Sequence, residues 1–71
     1  MKVLVEGVEI ILNDALCNEY REKLLYEITP DECKVYAESY FDMPFADIVK
    51  TYPMSGVVAA IEGAMKEEIT L

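Results

Sequence analysis

The stretch Met1-Lys2-Val3-Leu4-Val5-Glu6-Gly7-Val8-Glu9-Ile10-Ile11-Leu12 decides how the rest of the chain is read. Strand side chains alternate between faces with a period of two. Folded back at Glu6-Gly7 as a β-hairpin, the chain sets Val5 opposite Val8, Val3 opposite Ile10 and Met1 opposite Leu12, all on one face. Lys2, Leu4, Glu9 and Ile11 fall on the other, mixed face. One apolar and one mixed face describe a sheet covered by helices on one side only. A two-residue type I′ loop requires positive φ at both central residues, which Glu6 resists, so a bulged or longer turn is expected. A lone hairpin is marginal. It needs helices on its apolar face, or a second copy paired along its open edge as a homodimer.

The remaining sequence supplies helices. Asn13 or Asp14 caps the first, which is expected to reach about Ile28, with Leu16, Cys17, Tyr20, Leu24 and Ile28 inward. Glu19, Glu22 and Tyr26 line its outer stripe, and Glu19 and Lys23 form a favourable i,i+4 pair. Thr29-Pro30-Asp31-Glu32 reads as a capping box with proline at the first helical position. The second helix then runs to about Phe41, with Cys33, Tyr36, Ala37, Tyr40 and Phe41 inward. Asp42 is expected to cap a short third helix carrying Phe45, Ile48, Val49 and Tyr52. Pro53 breaks it, and Ser55 caps a last helix with Val57, Val58, Ile61, Met65 and Ile69 inward. Small residues there (Ala59, Ala60, Gly63, Ala64) allow close approach of another element. The expectation is an α+β fold: a single small domain over 1–71, with an N-terminal two-stranded antiparallel β-hairpin packed against three to four α-helices.

The 71 residues suit one domain, and an apolar fraction of 54% argues for a packed globule. Fourteen acidic residues against six basic ones give a net charge of -8. Such a chain repels phosphates and anionic membrane surfaces and favours basic partners, while the same charge also keeps a small apolar protein in solution. No apolar h-region follows Met1-Lys2, and no run approaches a membrane span. Cys17 and Cys33 are too few for a disulfide scaffold and fall on apolar stripes, which suits a reduced, cytoplasmic setting. A bridge between them is the alternative.

Histidine is absent. That removes the commonest general base and the commonest transition-metal ligand. Two cysteines alone do not make a zinc site, and no glycine-rich phosphate cradle occurs. Asp31-Glu32 is explained by capping and the helix dipole, and Glu67-Glu68 by solvation. The expectation is a protein without catalytic residues, cofactor or metal.

Two features are left for binding. One is an acidic, tyrosine-dotted surface: Glu19, Glu22, Tyr26 and Glu27 on the outer and distal part of the first helix, continued by Asp31, Glu32 and Glu38 on the second. Carboxylates steer a basic partner, and tyrosine adds contact area at small entropic cost. The competing reading is an ordinary solvated face. The other feature is a helix-turn-helix rhythm from Asp47 to Ile61. Its second helix offers Ser55, Gly56, Ala59, Ala60 and Glu62, with no arginine, asparagine or glutamine to read base edges.

The tail Pro53-Met54-Ser55-Gly56, continuing through Ile61-Glu62, Ala64-Met65 and Glu67, resembles the final helix of small phage anti-CRISPR proteins of the type I-F inhibitor class. Proteins of that class are short, intracellular and non-enzymatic, combine a few strands with helices, and bind the effector complex directly. The resemblance implies an inhibitor and assigns no contact residues. The functional expectation is a non-catalytic binding protein that engages a basic protein surface of nucleic-acid-handling machinery, without direct nucleic-acid or membrane contact. The alternatives are a DNA-binding regulator and a dimeric structural module.

Overall fold

The computed structural model describes residues 1–70 as two strands and four helices: β1 (Lys2–Val5), β2 (Val8–Ile11), α1 (Asp14–Leu24), α2 (Pro30–Phe41), α3 (Phe45–Thr51) and α4 (Met54–Thr70). The fold is α+β. β1 and β2 pair antiparallel in the register Lys2↔Ile11, Val3↔Ile10, Leu4↔Glu9 and Val5↔Val8. The amide of Leu12 donates to the Met1 carbonyl at 2.8 Å and extends the ladder by one rung. Val3, Val5, Ile10 and Leu12 are buried, whereas Met1, at the mouth of the hairpin, is exposed. Leu4 and Ile11, on the opposite face, stand 57% and 56% exposed.

The turn is tighter than the residue preferences suggest. Val5 pairs directly with Val8, and Glu6 and Gly7 take φ of 50° and 80°, the signature of a type I′ loop. Two things hold Glu6 in this region. The buried Val5 and the half-buried Val8 pair across the turn and fix the register, and the Glu6 carboxylate pairs with Lys34 Nζ of α2 at 2.9 Å.

α2 lies against β1, α4 against β2 and α1, and α3 against both α2 and α4. Their apolar stripes meet on the hairpin in one core that includes Tyr20, Cys33, Phe45, Ile48, Ile61 and Met65. Asn13 is the N-cap of α1, its side chain accepting from the Leu16 amide at 3.0 Å. Glu62 of α4 accepts the Asn13 amide at 2.8 Å and ties the start of α1 to α4. Thr29 caps α2 with Pro30 in its first turn, and its hydroxyl accepts from the Glu32 amide at 3.2 Å.

Four expectations about local structure are corrected. α1 stops at Leu24 rather than near Ile28, because Leu25 adopts a left-handed conformation (φ 63°) and its amide closes the helix on the Arg21 carbonyl. That reversal lets Ile28 enter the core from the connection instead of from the helix. Asp42 is not the cap of α3. It is the left-handed residue that ends α2, and Pro44 occupies the N-cap position of α3 without a side-chain bond. α4 starts at Met54, so Ser55 lies within its first turn. The Pro53 carbonyl accepts from the Gly56 and Val57 amides at 3.0 and 3.2 Å. Tyr40 points outward at 71% exposure.

Leu25 carries two local costs, a left-handed backbone and an apolar side chain that is 88% exposed. Leu25→Gly is expected to raise stability by about 0.5 kcal/mol, the relief of left-handed strain exceeding the extra unfolded-state entropy of glycine. A urea midpoint below that of the parent would contradict it.

Candidate functional site

The seven acidic and aromatic residues expected to form one surface are divided by the fold. Glu19 and Glu22 are exposed on α1, and Glu19 Oε1 lies 3.3 Å from Lys23 Nζ. Tyr26 and Glu27 are not on α1, which ends before them. The Tyr26 ring meets the buried Tyr20 ring edge-on at 5.6 Å, and Glu27 pairs with Arg21 at 3.5 Å. Asp31 is exposed in the first turn of α2.

Glu32 and Glu38 hold the structure together. The Tyr20 hydroxyl donates to Glu32 Oε2 at 2.5 Å and lies 2.9 Å from the Tyr36 hydroxyl. Glu32 is thus turned towards Tyr20 and the Thr29 hydroxyl rather than back to the Thr29 amide, as a full capping box requires. Glu38 Oε2 accepts the Phe45 amide at 2.7 Å and caps α3 from the preceding helix. This bond supplies the acceptor that Pro44 cannot offer. Glu32 is turned towards Tyr20 of α1, whereas Glu38 is turned towards Phe45 at the start of α3. The acidity of α2 is therefore split between its two flanks. Among the described residues, Glu22 and Asp31 form no ion pair, and Glu19 and Glu27 form only exposed ones, which are weak and exchangeable.

The arrangement that sequence reading missed is a groove of about 640 Å³ between α2 and α4. Val57, Ile61 and Met65 bury one stripe of α4 in the core. The stripe beside it is Gly56, Ala59, Ala60, Gly63 and Ala64, too small to fill the space next to α2. Ala60 is buried, but Ala59 and Gly63 remain exposed, so the close approach those residues permit is only partly used within the chain. Val35, Tyr36 and Tyr40 of α2 form the facing wall. Phe41, which ends α2, stacks on Tyr52, just before α4, at 4.3 Å and marks one end of the groove, and the last turns of α4 mark the second. Glu67 and Glu68 line it at that second end, and among the described residues no lysine or arginine lines it. The small-residue pattern was the available signal; what it lacked was the outward direction of Tyr40 and Val35.

Burial, and then the bond to Glu32, hold the Tyr20 hydroxyl far above the usual tyrosine range. Burial raises Tyr36 as well. Both cysteines are free and buried. Burial pushes the Cys33 thiol from 9.0 up to about 11 and raises Cys17 in the same direction. That is the reverse of an activated nucleophile. The folded state therefore holds these protons more tightly than the unfolded state. The stability they contribute is complete below about pH 9 and is lost as pH rises through about 11. Urea midpoints are expected to fall between pH 8.5 and 11, and a midpoint that rises over that interval contradicts the burial of these groups.

Among the described residues no helix is long and apolar enough to cross a membrane, and no group of three or more cysteine, aspartate or glutamate side chains could hold a metal ion. Comparisons with protein-family models, with curated proteins and with solved structures give no match to this chain.

Proposed function

We propose that this chain is a non-catalytic binding protein that engages a basic surface of another protein, acting in the cytoplasm as an inhibitor of nucleic-acid-handling machinery such as a CRISPR effector. The observations that carry the reading are exposed carboxylates without an ion-pair partner and an open apolar groove with carboxylates at one end. Among the described residues Glu22 and Asp31 form no ion pair, Glu67 and Glu68 stand at one end of the groove, and Val35 and Tyr40 are exposed on its wall. Charge of one sign steers association, and exposed aromatic and aliphatic groups supply the buried area. The buried thiols favour binding over catalysis.

Direct DNA binding is the weaker reading. α4 spends Val57, Ile61 and Met65 on the core, and its solvent side carries Ala59, Gly63, Glu67 and Glu68. None of these side chains reads a base edge, and the carboxylates repel phosphate.

The test is retention on an immobilised panel of basic DNA- and RNA-binding proteins, including a CRISPR effector complex, at increasing salt. Retention that falls steeply with salt is expected, because exposed charges are screened beyond about 10 Å at 0.1 M salt. The double variant Glu22→Lys, Asp31→Lys should weaken retention about tenfold and lower stability by only about 1 kcal/mol, because neither side chain is paired and Asp31 contributes only its interaction with the α2 N-terminus. Binding to duplex DNA at moderate salt, with no basic protein retained, overturns the reading.

A further inference from the structure

We infer that the α2–α4 groove is the seat of one α-helix from a partner protein, a helix with small or aliphatic side chains along its buried face and lysine or arginine at the end that meets Glu67 and Glu68. This rests on the reading of the chain as a binder of basic proteins and specifies how such a partner is held.

Shape argues for a helix. The groove is an open trough between two helices, and its floor repeats Gly56, Ala60 and Ala64 at four-residue intervals. Such a row keeps side chains from holding a neighbouring backbone away and lets a third helix settle between the first two. From Gly56 to Glu68 the axis advances about 18 Å, at about 1.5 Å per residue, which matches three to four turns of an occupant. The walls are suited to the same guest. Val35 and Tyr40 are exposed, and the tyrosine rings offer an apolar body with a polar tip.

Charge selects the partner. One end of the groove carries Glu67 and Glu68, and among the described residues no cation lines it. A second copy of this chain is disfavoured at that end, because two copies of net charge -8 repel one another and the groove of each carries only carboxylates. A nucleic acid is repelled by the same carboxylates. A cationic helix end is attracted by them and can rest on the adjacent tyrosine faces.

The experiment uses two fluorescein-labelled, capped sixteen-residue peptides of identical composition, titrated with the whole protein by anisotropy at low and high salt. In the first, alanine and leucine form one continuous face and three arginines are grouped at one end. In the second, the same residues are permuted so that arginines interrupt the apolar face. The first is expected to bind at least tenfold more tightly than the second, and more weakly as salt rises. Gly63→Leu should abolish this preference by filling the floor. The position is exposed and a Cβ there meets nothing within 4 Å, and an unchanged circular dichroism spectrum is the check that the fold is retained. Ala59→Leu, also exposed, is the second blocking variant. Glu67→Lys with Glu68→Lys should reduce affinity about tenfold and flatten its salt dependence. Equal binding of the two peptides, or unchanged binding by both blocking variants, overturns the groove as the seat. Loss on blocking with no response to charge reversal overturns the basic end. If the blocking variants leave salt-sensitive retention of basic proteins intact while Glu22→Lys, Asp31→Lys removes it, the helix seat fails and the broader reading survives.

Discussion

Ile10→Asp is expected to abolish cooperative folding, whereas Ile11→Asp, one residue further on, is expected to change stability by less than about 1 kcal/mol. The two positions differ only in which face of β2 they occupy. Ile10 is fully buried opposite Val3 and beneath the helices that cover the hairpin. Ile11 lies opposite Lys2 on the open face. An unpaired carboxylate in an apolar interior costs several kcal/mol even after its pKa rises to neutralise it. A chain of 71 residues holds a total stability of roughly 4–11 kcal/mol, so one such penalty consumes most of it. Circular dichroism and urea titration distinguish the outcomes. Equal behaviour of the two variants would mean that the hairpin does not present one face to the core.

The second large effect is expected at Tyr20. Its side chain is wholly buried, and its hydroxyl joins α1 to α2 through Glu32 and Tyr36. Tyr20→Ala removes the ring and leaves a cavity, at a cost of about 3–5 kcal/mol. It also removes the edge-on support of Tyr26. Tyr20→Phe keeps the ring and deletes only the hydroxyl, at a cost of about 1 kcal/mol, since the partly exposed Glu32 regains water. The difference between the variants separates packing from hydrogen bonding at the α1–α2 junction. If Tyr20→Phe proved as damaging as Tyr20→Ala, the hydrogen-bonded link rather than the ring would be the principal tie between those helices.

The division of the acidic surface has a functional consequence. Glu32 and Glu38 cannot be reversed without loosening Tyr20 or uncapping α3, so charge reversal there reports on stability as much as on binding. Glu22 is the position at which charge can be changed without such a contribution, and Asp31 adds only its interaction with the N-terminus of α2. For the same reason Glu67 and Glu68, which are exposed on the last turns of α4, are suited to testing the groove.

Much of the fold is written in short-range chemistry. Alternation in Met1–Leu12 determines the strand register, since slipping by one residue would turn every buried valine to water. Thr29-Pro30 marks the start of α2 because a hydroxyl acceptor followed by a residue without an amide suits a helix start and little else. The four-residue spacing of Val57, Ile61 and Met65 identifies the buried stripe of α4. Other features depend on partners distant in the chain. Glu6 tolerates a left-handed turn because the Val5–Val8 pair and Lys34 hold it there, and α1 ends early because Ile28 must reach a core that local periodicity does not describe. Whether Glu38 is a surface charge or a helix cap depends on where Phe45 arrives, and whether Ala59 and Gly63 are packed or open depends on how closely α2 approaches α4. Propensity and period act over a few residues, whereas the groove and the allotment of carboxylates arise only when separate elements meet.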